Sequence, residues 1–159
     1  MKHDVIEELF SKYYNDALLY TLSLTKNHLS AEAIVSDAFY TALKTADEVH
    51  SFKVWLLRVC RNLYLNSLRK TKRLSELDES VSDENESVLE AIIRKEEYRA
   101  LYHAISVLNP SYKEVITLFY FENLSIKDIA LVLGKKETVV KVALFRGREA
   151  LKKILSETV

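Results

Sequence analysis

The side chains with the clearest chemical use in this sequence are two groups of cations. From Ser51 to Arg73 there are seven lysine and arginine residues and no acidic residue, and from Lys135 to Lys153 bases again outnumber acids. Side chains grouped in this way neutralise the phosphates of nucleic acids. Between the two groups, the segment from Leu74 to Ile93 has seven acids and no base. The formal net charge is zero, but this block pattern predicts separate cationic surfaces.

Residue sets that support catalysis are not evident. The four histidines are scattered, without the spacing of a metal site, at His3, His28, His50 and His103. The sequence shows no nucleophile with an adjacent base and no glycine-rich phosphate loop. An enzyme is therefore the least favoured class, and we expect no metal, no cofactor and no small-molecule substrate.

Composition favours an all-α fold in a reducing compartment. The 159 residues include two glycines and one proline, which argues against a turn-rich β protein. The single cysteine, Cys60, cannot form an intramolecular disulfide. The N-terminal segment has acids where a signal peptide is apolar, and no stretch is apolar enough to span a membrane. We expect a cytoplasmic protein without membrane insertion.

Three helices are predicted to position the first cationic group. Asp4, Ser30 and Ser51 are suited to cap their N-termini. On the third helix, Trp55 and Cys60 belong to an apolar stripe that we expect to face the core. The polar, acidic segment that follows is typical of a flexible linker. We therefore predict two small helical domains, residues 1–73 and 93–159, joined by an acidic flexible linker over residues 74–92.

The second half of the chain contains a helix-turn-helix pattern. After a helix from about residue 88 to 108, Asn109 caps another that reaches about residue 121, with Pro110 at its first position. Ser125 begins a short helix that ends at Gly134, and a longer basic helix follows over residues 136–155. In such motifs the second helix enters the major groove of DNA. The packing between the two helices is assigned to Ile129, Ala130, Leu133, Val140 and Leu144.

This half resembles the C-terminal domain of bacterial sigma factors of the extracytoplasmic-function type. The segment LNPSYKEVITLFYFENLSIKDIALVLG, residues 108–134, fits the family pattern with the proline displaced by one position. The resemblance implies that this domain binds the −35 promoter element. The residues expected to face phosphate or bases are Lys135, Lys136, Thr138, Lys141, Arg146 and Arg148.

The first half of the chain is also similar to this family, through segments that are separate from those of the second half. FKVWLLRVCRNLYLNSLRKTKR, residues 52–73, resembles the helix that reads and opens the −10 element, and residues 47–53 are expected to lie near the melted strand. The −10 contacts that this implies are Lys53, Arg58, Arg61, Asn62, Arg69, Lys70 and Arg73. AEAIVSDAFYTAL, residues 31–43, resembles the core-polymerase-binding helix. Its implied contacts are Glu32, Ile34, Val35, Asp37 and Phe39.

The resemblance therefore predicts a sigma factor that binds core RNA polymerase and promoter DNA, with an anti-sigma factor as a further expected partner. Two alternatives stay open: a stand-alone helix-turn-helix regulator, or a degenerate sigma-like subunit that acts with a partner protein. The second alternative is suggested by the second helix of the helix-turn-helix, the recognition helix. In this helix Val142 and Ala143 replace the family's usual serine and arginine. Either the −35 element of this protein differs in sequence from the one common in the family, or one base contact is less specific. Val142 could instead contact a thymine methyl group. Ala33 and Ser36 replace an acid and a glutamine in the polymerase-binding helix.

Overall fold

A computed structural model describes residues 3–45, 51–74 and 96–158. Every regular element in these ranges is helical, which confirms the all-α prediction. The chain divides into two compact units, Met1–Val88 and Leu89–Val159. The predicted linker lies outside the described residues except for Leu74, as do residues 88–95 of the fourth predicted helix and residues 47–50 of the predicted strand-binding loop.

Over residues 3–45 and 51–74, the first unit has three helices, and α1 packs against both α2 and α3. They are α1 (His3–Thr25), α2 (His28–Thr45) and α3 (Phe52–Leu74). Tyr20 of α1, Val35 of α2 and Leu56 of α3 are among the fully buried side chains, so the apolar stripes of the three helices meet in one core.

Two predicted helix starts in this unit are wrong by a few residues. Helix α2 begins at His28 rather than after Ser30, because the Asn27 side chain caps it: the Ser30 N–H donates to Asn27 Oδ1 at 2.9 Å. Asparagine is as effective an N-cap as serine. Asp4 lies inside the first turn of α1, where a carboxylate still interacts favourably with the helix dipole.

Over residues 96–158, the second unit has four α-helices and a π-helical turn. They are α4 (Glu96–Ser106), α5 (Pro110–Ile116), the π turn (Thr117–Phe121), α6 (Ile126–Leu133) and α7 (Glu137–Thr158). The Asn109 side chain accepts a hydrogen bond from the Ser111 N–H at 3.0 Å, with Pro110 in the first turn, as the sequence predicts. Helix α7 packs against α4, α5 and α6 and is the central element of this unit.

Candidate nucleic-acid interface

The turn between α6 and α7 sets the direction of the recognition helix. Ser125 caps α6, and its hydroxyl accepts a hydrogen bond from the Asp128 N–H at 3.1 Å. Gly134 ends α6 in the left-handed conformation, with φ 64° and ψ 38°, which a residue without a Cβ adopts most readily. The Lys135 N–H then bonds to the Ala130 carbonyl at 3.0 Å. Both predicted helix-end signals are confirmed.

The two helices of the motif pack through the predicted residues. Val140 and Leu144 of α7 are buried, as are three residues of α6, Ile129, Ala130 and Leu133. This shared core fixes α7 on α6 and leaves the opposite side of α7 in solvent.

Gly147 brings α7 close to α5. A Cβ at this position would lie 3.1 Å from Ile116 Cγ1 and 3.3 Å from Tyr112 Cβ, closer than normal carbon–carbon contact. From sequence alone Gly147 is only a helix-weakening residue, at about 1 kcal/mol relative to alanine. The structure shows that its small size permits the close crossing of α7 over α5.

The free side of α7 carries both cations and apolar side chains. All six residues predicted for the −35 contact, from Lys135 to Arg148, are exposed. The same surface exposes Val142 and Phe145. Val142 also lines a cavity beside α7, together with Tyr112, Val139 and Arg146. The surface therefore combines positive charge with apolar contact area.

Arg148 has a second role that its sequence position does not reveal. Its Nε donates a hydrogen bond to the Tyr120 hydroxyl at 2.7 Å, and its guanidinium lies 5.2 Å from the Phe119 ring centroid and 5.6 Å from that of Tyr120. These contacts link α7 to the π turn across 28 positions of sequence. No local sequence pattern predicts such a pairing, so the two aromatic partners were not identified from the sequence.

The residues predicted for the −10 contact lie along α3. Arg58, Asn62, Arg69 and Lys70 are exposed, and Arg61 is half-buried. The Lys53 ammonium lies 3.7 Å from the Asp16 carboxylate of α1, an ion pair that the sequence did not predict. The side chain of Arg73 lies outside the described residues. Four of the seven predicted −10 residues are therefore exposed along α3.

The predicted polymerase-binding residues of α2 divide by burial. Val35 is fully buried and Ile34 is buried, so both belong to the core of the first unit. Asp37 is exposed and Glu32 is half-buried, with Glu32 Oε1 3.0 Å from His28 Nδ1. Phe39 is half-buried against Phe10, with ring centroids 4.0 Å apart. The exposed surface of α2 therefore combines Asp37 with the apolar side chains Leu29 and Tyr40, which are 69% and 58% exposed.

Cys60 and Trp55 support α3 from inside. Cys60 is fully buried, and burial raises the pKa of its thiol to about 12, an effect that the neighbouring Thr21 hydroxyl partly offsets. Trp55 is half-buried and packs on Phe52, with ring centroids 5.7 Å apart. The predicted core role of Cys60 is confirmed, and Trp55 is a packing residue that keeps some exposed surface.

Two properties of the described residues concern membranes and metal ions. None of their helices is long and apolar enough to cross a lipid bilayer. Within the same ranges, no group of three or more histidine, cysteine, aspartate or glutamate side chains is arranged to hold a metal ion.

Comparison with known families gives a match in each unit. Residues 9–74 match the model of sigma-70 region 2, and residues 98–151 match that of sigma-70 region 4. The chain is 27% identical to the ECF RNA polymerase sigma factor SigM of Bacillus subtilis, over 97% of each protein. It is 31% identical to the ECF RNA polymerase sigma factor SigW of the same organism, over 80% of this chain and 76% of that protein.

Solved structures show the same fold. The sigma factor RpoE of Bartonella quintana, determined in complex with the anti-sigma factor NepR, superposes with a TM-score of 0.72 at 21% identity, over 94% of this chain and 96% of that chain. CnrH, determined with the cytosolic domain of CnrY, gives a TM-score of 0.70 at 19% identity, over 99% of this chain and 92% of that chain.

Proposed function

Because the chain belongs to the ECF RNA polymerase sigma factors of the sigma-70 family, we propose that its two units share transcription initiation between them. As a sigma factor it binds core RNA polymerase and directs it to promoter DNA. We assign the −10 element and polymerase to residues 1–73, and the −35 element to residues 93–159, with residues 74–92 as the linker between them.

The exposed cations of α3 and α7 carry this assignment. Arg58, Arg69 and Lys70 extend along α3, where the family reads and opens the −10 element, and Asn62 offers an amide that can hydrogen-bond an extruded base. In the second unit, the N-terminal part of α7 is flanked by Lys135, Lys136 and Lys141. The N-terminal part of a recognition helix is the part that normally reaches base edges. Phosphate contacts then fix the register, and a few side chains read sequence.

For polymerase binding we propose the exposed side of α2, with Asp37 and Glu32 as the polar contacts and Phe39 at the edge. The burial of Ile34 and Val35 makes them supports of this surface rather than contacts. An anti-sigma factor is the proposed regulatory partner, because related folds were determined with such proteins bound. We further propose that the chain works in the cytoplasm and has no catalytic activity of its own, since polymerase performs the chemistry.

Transcription from a library of genomic fragments tests the function directly. Core polymerase with this protein should initiate at a defined set of start sites that core polymerase alone does not use. Mapping those sites would give the −10 and −35 sequences. The absence of any start site that depends on this protein would contradict the proposal. A strong footprint made by the protein without polymerase would instead identify a stand-alone regulator.

Asn62 offers a matched test of strand opening. We expect Asn62→Ala to reduce open-complex formation by about tenfold, the effect of losing one good base contact, with permanganate reactivity of the melted strand as the measurement. Asn15→Ala, at another exposed asparagine in α1 of the same unit, is the control and should leave the reactivity unchanged. Equal behaviour of the two variants would remove Asn62 from the −10 contact.

A further inference from the structure

The outward side of α7 has an apolar centre. Thr138, Val142 and Phe145 follow one another at spacings of four and three residues, so they lie on one stripe of the helix. Val140 and Leu144 occupy the opposite, buried side. Val142 is 48% exposed and Phe145 is 64% exposed. This stripe of the recognition helix therefore presents methyl groups and an aromatic ring, and among its three side chains only Thr138 has a hydrogen-bonding group.

The surroundings of this stripe identify the kind of partner that would cover it. From residue 135 to residue 148 there are five bases and a single acid, Glu137. Lys141 precedes Val142 and Arg146 follows Phe145, so a cation stands beside each apolar side chain. Glu149 continues the same stripe and ends it with a negative charge. A polyanion with apolar groups between its phosphates fits the part of α7 before Glu149.

The major groove of DNA is such a surface. Its only apolar group on a base edge is the 5-methyl of thymine, which valine, threonine and phenylalanine side chains can contact. We propose that Val142 and Phe145 select thymine in the −35 element by burying its methyl groups, while Lys141 and Arg146 bind the flanking phosphates. The inference deepens the proposed function and rests on it. At Val142 it assigns base selection to an apolar contact where the family more commonly has serine.

The methyl group can be removed without changing base pairing. DNA duplexes with a randomised upstream region are enriched for binding to the holoenzyme, and the selected sequence is resynthesised with deoxyuridine at each thymine in turn. Burial of one methyl group corresponds to about fourfold in affinity. We expect binding to weaken by that factor at the contacted thymines and to stay unchanged at the others.

Variants assign each methyl to a side chain. Val142→Ser should abolish the deoxyuridine effect at one thymine, and Phe145→Ser should abolish it at another. Val142→Thr keeps a methyl group and should retain most of the discrimination. The control is Val107→Ser in the turn after α4, where the side chain is 54% exposed and lies outside the recognition helix. Because all three positions are exposed, the variants should fold, which circular dichroism can verify.

The outcomes separate this inference from the proposed function. If the holoenzyme enriches no sequence beyond that of core polymerase, the sigma function fails, and this inference fails with it. If a −35 sequence is enriched but deoxyuridine has no effect, or has the same effect in Val142→Ser, Phe145→Ser and the unchanged protein, only methyl selection is overturned. Methyl selection is also overturned if Val142→Ser and Phe145→Ser leave DNA binding unchanged but abolish the binding of a protein partner.

Discussion

Arg148 shows how one side chain can belong to both a binding surface and a fold. Its position in a basic recognition helix suggests a phosphate contact, but the structure also places it against Phe119 and Tyr120. A guanidinium can donate through Nε and still present its terminal nitrogens elsewhere. We therefore regard Arg148 as a residue that positions α7, in addition to its proposed phosphate contact.

The stability of the second unit tests this role. We expect Arg148→Lys to lower the free energy of unfolding by about 1 kcal/mol, because lysine cannot reproduce the Nε hydrogen bond and the planar packing on two rings. Tyr120→Phe removes only the hydroxyl and should cost about half as much. Urea unfolding measures both. Identical stability of Arg148→Lys and the unchanged protein would show that these contacts do not hold the helix.

Cys60 predicts a pH dependence in alkaline solution. Its folded pKa of about 12 lies above the ordinary value of 9.0, so the unfolded chain loses the thiol proton first. The contribution of this group to stability is complete below pH 9 and is lost as the pH rises from about 9 towards 12. Unfolding midpoints across this range should fall more steeply in the unchanged protein than in Cys60→Ala. Parallel curves for the two proteins would contradict the prediction.

Among the elements, α7 depends on how closely it crosses α5. We expect Gly147→Ala to destabilise the protein by about 1 kcal/mol, because the contacts with Ile116 and Tyr112 outweigh the higher helix propensity of alanine. Thermal unfolding gives the sign. In an Ile116→Ala background, which removes the two nearest isoleucine atoms, the penalty should shrink. Stabilisation by Gly147→Ala alone would mean that the two helices separate without cost.

The elements that sequence predicts well are those fixed by local chemistry. Asn109 with Pro110, and Ser125 with Gly134, define helix ends through hydrogen bonds between residues two to five positions apart, so their residue types suffice. The buried side of the helix-turn-helix was also predictable, because Val140 and Leu144 repeat at helical spacing. The exposure of the predicted −35 residues on α7 follows from the same periodicity, whereas Lys135 and Lys136 lie in the turn before this helix.

Features that depend on distant contacts were not predictable. The π turn, closed by the Glu122 N–H to the Thr117 carbonyl at 3.2 Å, has no sequence signature of its own. Neither do the pairing of Arg148 with Tyr120 and that of Lys53 with Asp16. Ile34 and Val35 were assigned to polymerase by resemblance to a motif, which gives residue types but not the direction in which each side chain points.

For the whole molecule, charge is segregated although its sum is zero. Each unit should contribute to the salt dependence of holoenzyme binding to promoter DNA, since every phosphate neutralised releases counterions. We expect Lys141→Ala and Arg69→Ala each to reduce the slope of log affinity against log salt by about 1, and the double variant to reduce it by about 2.

Lys12→Ala, which removes an exposed lysine from α1, is the control and should leave the slope unchanged. A slope that is the same with and without Lys141, measured on the mapped promoter, would place that residue outside the interface.

The burial of Cys60 also determines whether oxidants can react directly with this thiol. Peroxide and disulfide reagents react with accessible thiolates, and the one cysteine in the sequence is both sealed from solvent and held as the neutral thiol. We therefore expect thiol-directed oxidants to leave Cys60 of the folded protein unmodified.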